Sequence, residues 1–157
     1  MDQDRKIEIL RKVAIFRGLT KDEILNLLKK AQLKIFSKSQ TIFSEGEKGH
    51  IMYVIIKGKV RISTIIPGVG EESLAIYGAG EIIGELALIE GSKRSATVIA
   101  EEETETIGFK REKLLEFMKE FPEAGNNILW VLARTLAERL RATNERLKPI
   151  FALAKSF

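Results

Sequence analysis

The sequence predicts a mainly β fold with flanking helices: an antiparallel β-barrel or jelly roll, entered through short N-terminal helices and followed by one long C-terminal helix. Three observations predict it. Between residues 32 and 109, short runs rich in β-branched and aromatic residues alternate with glycines, the signature of many short antiparallel strands. On both sides of that stretch the apolar residues recur at three- and four-residue steps, the period of a helix. The length of 157 residues with 45% hydrophobic content suits one core rather than two. A single domain over 1–157 is expected, with a helical start at 5–31, a barrel at 32–109 and C-terminal helices at 111–148.

The elements follow in chain order. Ile9, Leu10, Val13 and Phe16 mark a first short helix. Thr20-Lys21-Asp22-Glu23 has the form of a capping box and opens a helix over 21–31 carrying Ile24, Leu25, Leu27 and Leu28. The strand candidates are Leu33 to Phe36, Thr41 to Ser44, Met52 to Ile56, Val60 to Ile65, Ser73 to Ile76, Ala96 to Ala100 and Glu105 to Phe109. Lys57-Gly58-Lys59, set between two apolar runs, reads as a tight hairpin. Leu114, Leu115, Phe117 and Met118 return to helical spacing. Pro122 suits the first turn of the last helix and Pro149 its stop, which leaves roughly seven turns. Leu132, Leu136, Leu140, Thr143 and Leu147 form a stripe too long to be buried on a small barrel, so a parallel homodimer along this helix is expected. Trp130 is expected to pack where the helix meets the barrel.

Composition removes several function classes. The chain has no cysteine and a single histidine, so thiolate metal sites, iron–sulfur clusters and disulfides cannot be built from it, and the multi-histidine metal site of a cupin-type enzyme cannot either. No metal and no cofactor are expected. The N-terminus lacks the apolar run of a secretory signal, and no stretch is long and apolar enough to span a bilayer; a cytoplasmic protein without membrane contact is expected. The net charge of +4 draws on Arg134, Arg139, Arg141, Arg146 and Lys148, interleaved with Glu138 and Glu145 as on a solvated helix face.

The chemistry concentrates between residues 80 and 98. Gly80 and Gly84 frame a short apolar strand, a single helical turn begins at Gly84, and Arg94 enters the strand after it. Such a turn exposes backbone N–H groups that can hold an anion. Arg94 can close over the same anion with paired donors, and Ser95 adds a hydroxyl. Glu85 beside a phosphate needs a hydrogen-bond donor and a compensating positive charge; a sugar hydroxyl supplies the first and Arg94 the second. The residues alone therefore suggest a small phosphorylated sugar or nucleotide, or a plain Glu85–Arg94 ion pair bracing the turn. No nucleophile is paired with a base, so no enzymatic activity is expected.

Gly84-Glu85-Leu86-Ala87-Leu88 followed by Arg94-Ser95-Ala96-Thr97-Val98 resembles the phosphate-binding cassette of the cyclic-nucleotide-binding domain family, of the catabolite-activator and kinase-regulatory type. Ile42 to Glu47 and Met52 to Val60 match that family's strands in kind and spacing, and the resemblance covers about 15–147. It implies that Glu85 accepts from the ribose 2′-hydroxyl, that Arg94 and Ser95 grip the cyclic phosphate, and that backbone N–H groups around Leu86 and Ala87 add to the anion site. Arg139 to Glu145 resembles the helix segment that reaches the base: Thr143 fits, and Asn144 replaces a serine. Ile83 stands where many members have phenylalanine and Lys93 where many have proline.

The ligand implied is cAMP, favoured over cGMP, although asparagine can read either base and the Ser95 position is associated with guanine contacts. The function implied is that of a ligand-responsive sensor acting through the C-terminal helix. A sensor fragment of a larger transcription regulator, channel or kinase is the alternative. Because the chain stops at Phe157, about ten residues past that helix, no helix-turn-helix domain and no DNA contact are expected.

Overall fold

The computed structural model describes residues 2–91 and 93–157. Helix α1 (Gln3–Lys12), a 3₁₀ turn (Ala14–Phe16) and α2 (Lys21–Lys29) precede strands β1 (Ala31–Phe36), β2 (Thr41–Phe43), β3 (Ile51–Lys57), β4 (Lys59–Ile66), β5 (Gly70–Gly78) and β6 (Ile82–Ile83). The one-and-a-half-turn helix α3 (Glu85–Glu90) interrupts them before β7 (Thr97–Ala100) and β8 (Thr104–Lys110), and α4 (Arg111–Glu120) and α5 (Pro122–Lys155) close the chain. All strand pairs are antiparallel, in two sheets ordered β1-β8-β3-β6 and β2-β7-β4-β5. This is the expected jelly roll with flanking helices.

The two faces of β3 explain its unbroken apolar run. Side chains alternate across a strand: Tyr53 and Ile55 join Phe36, Phe43, Val60, Ile83 and Val98 inside the barrel. Met52 and Val54 point the other way and join Ile107 and Phe109 under the helices. That second cluster takes Leu10 from α1, Ile24 and Leu27 from α2, Phe117 from α4, and Ile128 and Leu132 from α5. The capping box at α2 is present in both directions, with Glu23 N–H donating to Thr20 Oγ1 at 3.2 Å and Thr20 N–H to Glu23 Oε2 at 2.9 Å.

Three sequence expectations fail. Lys57-Gly58-Lys59 is not a hairpin, because β3 and β4 belong to different sheets; the chain turns a corner of the barrel at Gly58, whose φ is 93°. The hairpin lies one strand later, at Pro67-Gly68-Val69, where Val69 N–H donates to Ile66 O at 3.0 Å. Pro149 does not stop α5, which runs on to Lys155 and past the expected end at 148. Proline removes one backbone bond, to the Glu145 carbonyl, and every residue from 141 onward is exposed, so water can satisfy that carbonyl. The bonds then resume through Ala152, Leu153 and Ala154, and Ser156 Oγ donates to Ala152 O at 3.0 Å. Trp130 does not pack against the barrel: it is 66% exposed, and Ile128 and Leu132 are the buried residues of that stretch, in the cluster under the helices. Among the described residues, no helix is long and apolar enough to cross a membrane.

Candidate functional site

A cavity of about 600 Å³ opens between the barrel, α3 and the middle of α5. Local sequence builds its floor. Gly84 adopts φ 75°, ψ 22° and ends β6, so that the next six residues can wind as α3. The chain returns through Gly91, also left-handed, and the Arg94 backbone is clamped to the 44–47 turn: Arg94 N–H donates to Glu47 O at 2.7 Å, and Gly46 N–H to Arg94 O at 2.8 Å. This clamp fixes where the Arg94 side chain starts.

Arg94 is 9% exposed. Its Nη2 donates to Ile51 O at 2.9 Å, and its guanidinium carbon lies 3.9 Å from the centre of the Phe43 ring. The group is threaded through a glycine cradle: a β-carbon on Gly84 would stand 2.5 Å from Nη1, and one on Gly49 2.3 Å from Nε. Among the described residues, Arg94 Nε and Nη1 are buried without a hydrogen-bond partner. Burial lowers the guanidinium from its ordinary value, opposed by Tyr53, Glu47 and Glu85. An arginine still carries its proton at any physiological pH. Two unpaired donor nitrogens on a buried cation are costly unless an anion meets them.

Glu85 lines the same cavity and is 7% exposed. Its partner corrects the sequence reading: the balancing cation is Arg139 of α5, not Arg94. Arg139 Nη1 donates to Glu85 Oε1, Nη2 donates to Ile82 O at 3.0 Å, and the guanidinium carbon sits 4.6 Å from the centre of the Tyr77 ring. Arg94 instead donates through Nη2 to Ile51 O and lies over the Phe43 ring. The plain Glu85–Arg94 brace therefore does not form.

Of the other residues singled out in the sequence, Gly84, Leu86, Ala87, Ser95 and Thr143 all line the cavity. Ala87 N–H donates to Gly84 O at 3.2 Å, and Thr143 Oγ1 donates to Arg139 O at 2.9 Å. Asn144 is exposed and does not line it, because one residue along a helix turns the side chain by about 100°. The sequence reading missed Arg139, Arg146 and Tyr77. The signal for the first was available: Arg139 and Thr143 are four apart and so share a helix face. Arg146 Nη1 donates to Leu74 O at 2.5 Å, a second tie between α5 and β5. Among the described residues, no group of three or more His, Cys, Asp and Glu side chains is placed to hold a metal ion.

Comparison with known proteins places these features in context. A family model described as cyclic nucleotide-binding domain matches residues 33–121. The cyclic AMP receptor protein of Thermus thermophilus is 34% identical over 124 residues, which is 79% of this chain and 57% of that protein. A CRP-like cAMP-activated global transcriptional regulator of Mycobacterium tuberculosis is 35% identical over 140 residues, 89% of this chain and 61% of the relative. The chain thus spans about three-fifths of the length of these relatives. The crystal structure of a cyclic nucleotide-binding domain from Methylobacillus flagellatus superposes with a TM-score of 0.81 at 29% identity, covering 93% of this chain and 82% of that one.

Proposed function

Because the chain belongs to the cyclic nucleotide-binding domain family, we propose that its cavity takes a cyclic nucleoside monophosphate, cAMP in preference to cGMP, and that it works as a non-catalytic sensor reporting through α5. The observation that carries this reading is Arg94, a buried cation whose Nε and Nη1 have no partner among the described residues, at the wall of a 600 Å³ cavity. A cyclic phosphate presents two exocyclic oxygens with a single negative charge, which matches the free side of the fork.

The remaining parts take their roles around that anchor. Ser95, at the cavity wall, adds a hydroxyl to the phosphate. Backbone N–H groups around Leu86 and Ala87, which line the cavity, add to the anion site. Glu85 accepts from the ribose 2′-hydroxyl, and Thr143 meets the base from α5. Both relatives have cAMP in their names, which favours adenine. The same reading gives a homodimer along α5, in the cytoplasm, with no resident metal.

Calorimetric titration tests it. Saturable binding of one cyclic nucleotide per chain, tighter for cAMP than for cGMP, is expected. Absence of both heat and competition at millimolar nucleotide would overturn it.

A further inference from the structure

Among the described residues, Glu85 is the one acidic side chain buried in the cavity, and a helix side chain already holds it. We propose that Arg139 is a built-in competitor of the ligand: its guanidinium holds one oxygen, Oε1, of the carboxylate that the sugar hydroxyl must reach. This rests on the cyclic-nucleotide reading of the cavity and adds to it a device that sets how strongly the sugar is sensed.

The guanidinium is held from three directions. Nη1 donates to Glu85 Oε1, Nη2 to Ile82 O at 3.0 Å, and the Tyr77 ring lies beneath it at 4.6 Å. Glu85 is almost wholly buried, with 9% of its side chain exposed, whereas Arg139 keeps 26%. A buried carboxylate stripped of its partner is costly. Arg139 removes that cost, and a ribose hydroxyl gains little where a charged donor is already in place. The neighbouring tie from Arg146 to Leu74 O holds α5 so that Arg139 stays within reach.

Deleting Arg139 has two effects that must be separated. It removes a positive charge from a cavity that binds an anion, which weakens every cyclic nucleotide alike. It also leaves Glu85 waiting for a donor, which strengthens only nucleotides that carry the hydroxyl. The affinity ratio between cAMP and its 2′-deoxy analogue cancels the first effect, because both carry the same phosphate.

The experiment is calorimetric titration of both nucleotides into the intact wild-type chain and into Arg139→Ala. In wild type the preference for cAMP is expected to be below about threefold; in the variant it rises to about tenfold or more, the scale of a hydrogen bond to a charged group. A ratio that stays within about twofold of wild type, or falls, overturns the proposal: Glu85 then serves the hydroxyl with Arg139 still in place, or Arg139 acts on the phosphate alone. Arg139→Lys keeps the charge without the fork. It is expected to raise the ratio in the same direction by a smaller factor, and it decides the matter if thermal melting shows that the alanine variant does not fold. Should wild type bind neither nucleotide, the functional reading falls and the competitor with it; binding without a change of ratio removes the competitor alone.

Discussion

At the scale of single residues, the site depends on geometry that only a guanidinium and a glycine can supply. Arg94 reaches Ile51 O with one nitrogen and leaves Nε and Nη1 buried and unpaired at the wall of the cavity it lines. Lysine at this position has one nitrogen with a compact charge and cannot do both. Arg94→Lys is therefore expected to lose about 2 kcal/mol of cAMP binding, the scale of a charged hydrogen bond, with the melting temperature little changed. Calorimetry measures the first and scanning fluorimetry the second; affinity within about twofold of wild type would contradict the phosphate assignment. Gly84→Ala tests the cradle. The left-handed backbone at φ 75° already disfavours a β-carbon, by about 1–2 kcal/mol, and that carbon would also press on Arg94 Nη1 at 2.5 Å and Ile51 O at 2.9 Å. Gly68→Ala is the control: it has φ 81° with open space around it. Both variants should lose stability in urea, and only Gly84→Ala should also lose nucleotide affinity.

At the scale of elements, α5 does different things along its length. Its start packs through Ala124, Gly125, Ile128 and Leu132, its middle faces the cavity, and the stretch from 141 onward is exposed. Proline in a helix interior is about 3 kcal/mol worse than alanine. Pro149→Ala is thus expected to strengthen the last turns, since the restored N–H reaches the Glu145 carbonyl. Hydrogen exchange should slow for amides 150–155, while the melting temperature moves by no more than about 2 °C, because an exposed end opens independently of the core. A large rise in melting temperature would mean that the end is coupled to the barrel.

What the sequence made legible at this scale follows from how local each signal is. The α2 capping box, the Pro122 start and the Met52 to Ile56 strand are written in adjacent residues, and all three form as expected. The corner at Gly58 was not legible, because period-two alternation reads the same whether the next strand folds back on its neighbour or crosses to the opposite sheet. Burial at the barrel decides that, and burial is a property of the assembled sheets. The same distinction holds in the site. Glu85 and Arg94 lie nine positions apart and could be matched by sight, and they do share one cavity. The Glu85–Arg139 pair spans 54 positions and exists only once α5 lies across the barrel.

For the whole molecule, the unpartnered side of α5 is the feature with the largest consequence. The cavity side carries Thr135, Arg139, Ala142 and Arg146, whereas Leu140, Leu147 and Ile150 are 62%, 39% and 59% exposed. Positions 136, 140, 147 and 150 keep the 3.5-residue repeat of a two-stranded coiled coil, and Thr143, which falls in the same repeat, stands at the cavity edge. Burying leucine-sized side chains gains about 1.5–3 kcal/mol each, so a second copy laid in parallel turns an exposed stripe into a seam while leaving the cavity side of each helix against its own barrel. We expect the wild-type chain of 17.7 kDa to sediment at about twice that mass at micromolar concentration. Leu140→Glu places two like charges in the seam and should return it to the monomer mass. Because Glu85, Arg94, Ser95 and Thr143 line one cavity within a single chain, the monomeric variant should still bind cAMP, and calorimetry on it separates the two functions of the helix. A dimer that survives the substitution would place the interface on another surface, and loss of binding together with the dimer would mean that the cavity is completed by the second copy.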